Sequence, residues 1–478
     1  MLSRIKKVFE RKSIATSQGL VGRKDLLKMP VLKAITVLAI PLIITNVLFT
    51  LYQIIDAYWV GQLGKEAVAA VSISFSVFFV VNSIIFGLSS IGTTLVAQAK
   101  GKNDKQKIDF YATQTTFLLA ILGIIFGLLG ILTTTQLIGF FGAEQIVSQL
   151  AAEYLSIIFL GLVFLFIYTG LSSALRGIGE VKLPLFLALV GVVLNFFLDP
   201  ILMFGFGPIP KMGVGGVAWA TTITQGISAV ITFLWLKKHK ELLHIKKEYF
   251  FFDKKTLSTM LKLGIPSTAE FLSRSIGMML LTFIVAWFGT TAIAAYGIGQ
   301  RLGAFALIPS FGISLAINTL VAQNLGANKI ENVWPTIKKG MIFSFTLLFV
   351  LATLLFLFAI PLTGIFVTES PEVVKEAAWF LQIYAYSLCF IGAQVPIIGA
   401  YRAAGKTKTA MNLSFIYIAG QIIIALILSQ LFGTTGIWFA YLIANIFVFI
   451  LTVIFYKMNP ITKSYIEHDN KPITAQEA

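Results

Sequence analysis

The chain has a single cysteine, Cys389, in 478 residues. That excludes an intramolecular disulfide framework, and no paired Cys/His spacing suggests a structural metal. Charge is scarce as well, since only 12% of the residues are Asp, Glu, Lys or Arg, with 21 acids against 37 bases. No glycine-rich phosphate loop is present, so ATP is not expected as the direct energy source. Nothing resembles a cleavable signal peptide, because the first apolar run is long and follows a basic tail. The short stretch "LSRIKKVFERK" in that tail has the pattern of a surface amphipathic helix or a frayed end.

Apolar residues are abundant instead: 57% of the chain is hydrophobic and the mean hydropathy is +0.87, far from the balance of a soluble protein. Stretches of roughly 20 apolar residues, each able to cross about 30 Å of hydrocarbon as a helix, follow one another along most of the chain. Twelve are read, over 36–61, 67–93, 111–137, 154–175, 183–205, 214–236, 260–288, 292–320, 340–361, 378–400, 410–431 and 435–456.

Basic residues orient these spans, because Lys and Arg accumulate on the cytoplasmic side of short connections. The two tails and the even-numbered loops hold 32 of the 37 bases, and the odd-numbered loops hold only Lys65, Lys211 and Lys375. Both termini are therefore expected in the cytoplasm of a cell-membrane protein. The net charge of +16 is accounted for by this bias and by anionic lipid headgroups, so nucleic acid is not an expected partner. The remaining bases, Arg274 and Arg301, fall inside spans.

An internal repeat divides the chain. "TTLVAQAKGKN" at 93–103 recurs as "NTLVAQNLGAN" at 318–328, an offset of 225 that also pairs Pro41 with Pro266 and Gly87 with Gly312. Further on, "ALRGIGEVK" at 174–182 matches "AYRAAGKTK" at 400–408, with Arg176 over Arg402 at an offset of 226. Six spans per copy is an even number, so both copies enter the membrane from the same side. The expected fold is all-α, with twelve transmembrane helices as two six-helix bundles in parallel orientation about a pseudo-two-fold along the membrane normal. The divisions are a basic tail at 1–33, a first lobe at 34–236, a linker at 237–257, a second lobe at 258–457 and a tail at 458–478. A cleft between two such lobes, open to one side at a time, is transporter geometry.

Two carboxylates break the apolar pattern of the first half. Asp56 stands in "NVLFTLYQIIDAYWVGQLG" and Asp199 in "GVVLNFFLDPILMFGFG", each 15 residues beyond a proline, Pro41 or Pro184. At about 1.5 Å per residue both lie about 22 Å along helices that start from the same side, and so at one depth. Tyr52 and Asn195 precede them by four residues and share their faces. Pro200 deprives the Phe196 carbonyl of its helical partner and allows a kink beside the acid. Intramembrane acids usually face a water-filled cavity, and a close pair titrates as one coupled unit. The pair suits proton uptake and release, or Na⁺ held by the oxygens of Asp56, Asp199 and Asn195. The alternative is a protonated acid hydrogen-bonded between helices for packing alone. The second copy drops both acids, placing Leu281 and Ala425 at their positions. It carries Glu270 and Arg274 four residues apart, a spacing that fits either an internal salt bridge or a substrate-facing group, with Arg301 a weaker candidate of the second kind. Gln98 and Gln323 are expected to stabilise helix contacts.

At these residues the sequence resembles the multidrug and toxic compound extrusion (MATE) family, in its prokaryotic DinF-like branch. The resemblance runs from "AIPLIITNVLFTLYQIIDAYWVGQLG" through "LNFFLDPILMFGFG" and "GVAWATT" to "VAQNLGANK". It implies a monomeric antiporter without organic cofactor that exports amphipathic, often cationic, compounds in exchange for H⁺ or Na⁺. By position it implies a coupling site of Asp56, Asn195, Asp199 and Thr221, with Tyr52 beside it, and a first helix that bends near Pro41. Some relatives carry a seventh-span acid further along, where this chain has Arg274. Two rival readings remain at this stage. One is a lipid or lipid-linked precursor flippase of the same superfamily, with Arg274 and Arg301 on a phosphate. The other is an intramembrane aspartyl protease, disfavoured because no Gly-x-Gly-Asp signature is present.

Overall fold

The structure, a computed structural model, describes residues 26–251, 253–367 and 370–462. The basic stretch at 2–12 and most of the C-terminal tail lie outside the described residues. Among the described residues the regular structure is helical apart from one isolated bridge between Phe206 and Ile209. The first half contains α1 (Val31–Gly61), α2 (Lys65–Gly101), α3 (Lys105–Gly139), α4 (Gln145–Ile178), α5 (Lys182–Phe204) and α6 (Gly213–Lys238). The second contains α7 (Lys254–Ala286), α8 (Thr290–Gly326), α9 (Val333–Leu357), the short α10 (Ala359–Gly364), α11 (Pro371–Ala403) and α12 (Thr407–Met458).

Several helices outrun their apolar stretches because helix continues into the polar turns. The 37 residues of α2 measure about 55 Å, longer than the hydrocarbon layer. Asp104 caps α3 by accepting the Lys107 N–H at 3.0 Å, and that bond holds its carboxyl below the usual carboxylate range. Asp253 caps α7 in the same way through the Thr256 N–H at 2.8 Å. The 52 residues of α12 are two spans rather than one. At Gly433 the backbone turns to φ 60° and ψ −140°, outside the range an L side chain adopts easily. Gly436 then folds back against the Leu428 carbonyl, where a Cβ would overlap backbone. Among the described residues, eleven long apolar helices therefore make the twelve expected crossings.

The repeat is visible in the backbone as well as in the letters. Asn103 and Asn328, the only non-glycine residues of positive φ among those described, close α2 and α8 at the same offset. Within the first half α4 packs on α2, α3 and α6, and α1 lies along α5. Within the second, α11 packs on α8, α9 and α12, and α7 lies along α12. The halves meet where α1 and α2 contact α7 and α8.

That meeting is pseudo-symmetric to the level of single hydrogen bonds. Gln98 donates its Nε2 to the Ala403 carbonyl at 2.8 Å, and its counterpart Gln323 donates to the Gly177 carbonyl at 2.9 Å. Thr94 and Thr319 donate to the carbonyls of Arg402 and Arg176, each at 3.4 Å. Gly101 abuts the Gln323 carbonyl and Gly326 abuts the Gln98 carbonyl, so closely that a Cβ at either would overlap backbone oxygen. Gln98 and Gln323 thus stabilise helix contacts as expected, and those contacts join the halves. These bonds lie toward the end of the bundle where α1 begins and α12 finishes, so the halves are closed together at that end. The segment between α6 and α7 is tied to α3, whose Gln114 amide donates to the carbonyls of Tyr249 and Phe251, both at 2.8 Å.

Candidate functional site

In the first half the apolar faces of α1, α5 and α6 bring four of the expected residues together. Asn195 and Asp199 are four apart on α5, one turn above each other, and the Asn195 amide donates to Asp199 Oδ1 at 2.9 Å. Both are wholly buried, at 0% exposure. Asp56 arrives from α1, half-buried, with its Oδ2 at 3.5 Å from the Thr221 hydroxyl of α6. The two carboxyls are close enough to interact with each other and with Asn195, and Tyr52 and Tyr154 flank them. Pro41 and Pro200 sit inside α1 and α5, which run through both prolines without interruption.

The site is under-supplied with partners for its polar atoms. Asp56 Oδ1, Asp199 Oδ2, Asn195 Oδ1 and the Tyr52 hydroxyl are buried with no N–H or hydroxyl partner in good geometry, although the two carboxyls lie within reach of each other and Tyr52 within reach of Thr221. Three of these four are acceptor oxygens gathered at one place, and no basic residue forms an ion pair with either acid among the described residues. Buried acceptors without donors carry a desolvation cost that a bound proton or a small cation removes. The oxygens of Asp56, Asp199, Asn195 and Thr221 are hard ligands of the kind Na⁺ prefers, and protonation would turn a carboxylate into the missing donor.

The second half is built differently at the same positions. Leu281 and Ala425 are buried in one apolar cluster with Tyr296, Tyr384 and Tyr441. Beside them Tyr296 and Tyr441 share a hydrogen bond of 2.7 Å, Gln300 donates to Tyr441 at 2.7 Å, and Tyr384 donates to Gln300 at 3.2 Å. Neutral hydroxyls and an amide satisfy one another where the first half has acids. This network was not anticipated from sequence, since tyrosines within apolar spans look the same whether they face lipid or core.

Glu270 has a different principal partner from the one its spacing suggested. Its Oε1 accepts from Arg402 Nη1 at 3.1 Å, whereas Arg274, one turn away on α7, stands at 4.0 Å from the same oxygen. Arg402 comes from the end of α11 and was grouped with the loop bases in the sequence count. It is 5% exposed and donates a second bond to Ser314 at 3.2 Å, with its guanidinium over the Phe271 ring. The expected salt bridge exists, but as the weaker arm of a three-residue cluster with one more positive than negative charge. Arg301 is exposed on α8, apart from this cluster, and forms no ion pair among the described residues.

A helical bundle with a duplicated half and an unpaired set of carboxylates in one copy is the frame of a membrane transporter. The MatE family model matches this chain twice, over residues 41–201 and 266–427, and the chain belongs to that family of transporters. It is 28% identical over 433 residues to the probable multidrug resistance protein YoeA of Bacillus subtilis (strain 168), covering 89% of this chain and 93% of that one. It is likewise 28% identical over 422 residues to the multidrug export protein MepA of Staphylococcus aureus (strain MSSA476), with 87% and 92% covered. Among solved structures it superposes on the outward-facing conformation of a multidrug resistance MATE family transporter of the MOP superfamily. That match has a TM-score of 0.87 at 24% identity and covers 93% of this chain and 98% of the other, which establishes the shared fold.

Proposed function

We propose that the protein is a secondary efflux antiporter that exports amphipathic, often cationic, drugs in exchange for H⁺ or Na⁺. The observation that carries this reading is the set of oxygens on Asp56, Asp199 and Asn195 that meet no basic side chain where α1, α5 and α6 come together. Binding of a proton or Na⁺ there would supply the missing donor or charge. It would also draw α1, which carries Asp56, toward α5, which carries Asp199. A state that binds the ion better is populated in its presence, and a substrate that prefers the other state is released. In this reading both termini are cytoplasmic, and the closed end of the bundle faces the cytoplasm. The cleft then opens outward, a monomer suffices for transport, and no ATP is consumed. The relatives' names, multidrug resistance and multidrug export proteins, support the substrate class.

The test is efflux of a fluorescent lipophilic cation from proteoliposomes under an imposed pH gradient and, separately, an imposed Na⁺ gradient. Gradient-driven efflux by the native chain that disappears in Asp56→Asn is the expected result, and the effective gradient names the coupling ion. Efflux under neither gradient would overturn the antiport reading and move attention to lipid scrambling, for which the positively charged Glu270, Arg274 and Arg402 cluster offers a headgroup contact.

A further inference from the structure

Arg274 lies on the stripe of α7 that runs through Glu270, Gly277 and Leu281, all three buried. That stripe faces α12, because a Cβ at Gly277 would crowd the Ile418 side chain and Leu281 shares an apolar cluster with Ala425. The Arg274 side chain is nevertheless 27% exposed, so it borders open space inside the second lobe rather than lipid. Its Nε is buried without an acceptor, and its approach to Glu270 stops at 4.0 Å. Arg402, on α11, is 5% exposed, and its Nε also lacks an acceptor. From α12 come Tyr417, near Arg274, and Gln421, which is 3% exposed. The Gln421 Nε2 has no acceptor in good geometry, although Tyr417 lies within its reach. Three buried donors on three helices thus share one shortage. The acid among them does not relieve it, since Glu270 Oε2 makes no hydrogen bond and one carboxylate stands against two guanidiniums.

The internal repeat supplies a control for what the place lacks. The offset of 226 pairs Gln421 with Asn195 and Ala425 with Asp199. In the first half the Asn195 amide donates to Asp199 Oδ1 at 2.9 Å. The second half keeps the amide and drops the acid that would receive its N–H. The offset of 225 pairs Arg274 with Phe49, so the guanidinium beside the amide belongs to the second copy alone. One copy has acceptors waiting for a cation, and the other has donors waiting for an anion.

We propose that this space in the second lobe binds the carboxylate of an exported compound, so that the amphipathic substrates include acids and zwitterions as well as cations. This inference rests on the efflux reading above and adds a substrate class to it. A carboxylate offers two oxygens with about four acceptor positions, enough for the Arg274 guanidinium and the Gln421 amide together. It would also balance the second of the two positive charges that Glu270 leaves uncompensated. The apolar body attached to such an acid remains between the halves, where no charge is needed.

The experiment uses the purified full-length chain in a neutral detergent and two matched fluorescent probes, rhodamine B, which has a free carboxylate, and its ethyl ester, which has none. Binding is followed by fluorescence polarisation without any ion gradient, so failure here and failure of antiport are read separately. The acid is expected to bind about tenfold more tightly than the ester, the worth of one charge-assisted contact. Arg274→Gln should erase that preference and leave the affinity for the ester unchanged, whereas Arg274→Lys should keep part of it. Glu270 retains Arg402 in both variants, and thermal melts check that both are folded. Should Arg274→Gln not fold, Gln421→Leu should still weaken binding of the acid severalfold without affecting the ester. Equal binding of the two probes by the native chain, or an equal loss of both in the variants, overturns the proposal. Displacement of the bound acid by phosphatidylglycerol but not by benzoate also overturns it, by assigning the space to a lipid headgroup.

Discussion

The two halves share backbone, register and contacts with each other, yet they place opposite chemistry in their interiors. The first gathers two acids with no base to pair with them, around Asp56 and Asp199. The second gathers two bases on one acid, Glu270, and fills the positions equivalent to the acids with Leu281 and Ala425. Glu270 itself falls on Thr45 of the first half, whose hydroxyl merely returns to the Pro41 carbonyl at 2.8 Å. The duplicated scaffold therefore conserves what joins the halves and frees what lies within each. A buried acid held by two arginines resists change, whereas carboxylates without a basic partner invite an ion to come and go.

The sharpest way to break this comparison is Asp199→Asn, which should abolish gradient-driven efflux in proteoliposomes while the protein still purifies in its folded state. Normal efflux by that variant would remove the first half from the coupling mechanism. Next in size, Arg402→Met should destabilise the protein by about 3–5 kcal/mol, because it leaves Glu270 buried beside an arginine at a poor distance. Denaturation of the single variants and of the Glu270→Gln, Arg402→Met double variant would isolate the pair term. A loss no larger than that from Arg176→Met, whose arginine forms no ion pair among the described residues, would erase the contrast between the halves. Gly101→Ala and Gly326→Ala should each cost about 1–3 kcal/mol by overpacking, and cost it equally, since each meets the other half's backbone. Clearly unequal losses in thermal melts would show that the closure is not symmetric in energy. The smallest effect is expected from Thr221→Val, which removes one long hydrogen bond to Asp56 and should weaken ion affinity by about 1 kcal/mol. Titration of ion-dependent protection from unfolding measures it.

Much of this architecture was legible in the letters. Hydrophobic run length marked the twelve crossings, and the repeated "TLVAQ" set the two copies in register. Rarity exposed Asp56 and Asp199, because an acid inside an apolar span stands out and two at one depth stand out further. In the structure Asn195, marked by its four-residue spacing to Asp199, and Thr221, implied only by the family resemblance, lie beside the acids. What could not be read was partnership between distant residues. Arg402 lies 132 positions from Glu270, and its place near the end of an apolar run made it look like another loop base. The tyrosine and glutamine network of Tyr296, Gln300, Tyr384 and Tyr441 was hidden for a related reason, since no periodicity tells a core-facing phenol from a lipid-facing one. The role of Gly101 and Gly326 was equally silent, because a glycine's close neighbour is named only by the other half of the fold.

The reversal at Gly433 has a consequence for how the protein is made. The last two crossings are joined by backbone that turns within a few residues, without any polar loop between them. A chain emerging from the ribosome can present the first of these segments to the membrane alone, but its far end has no charged anchor to hold it across. So tight a turn holds the two segments side by side, each the other's first neighbour across the membrane.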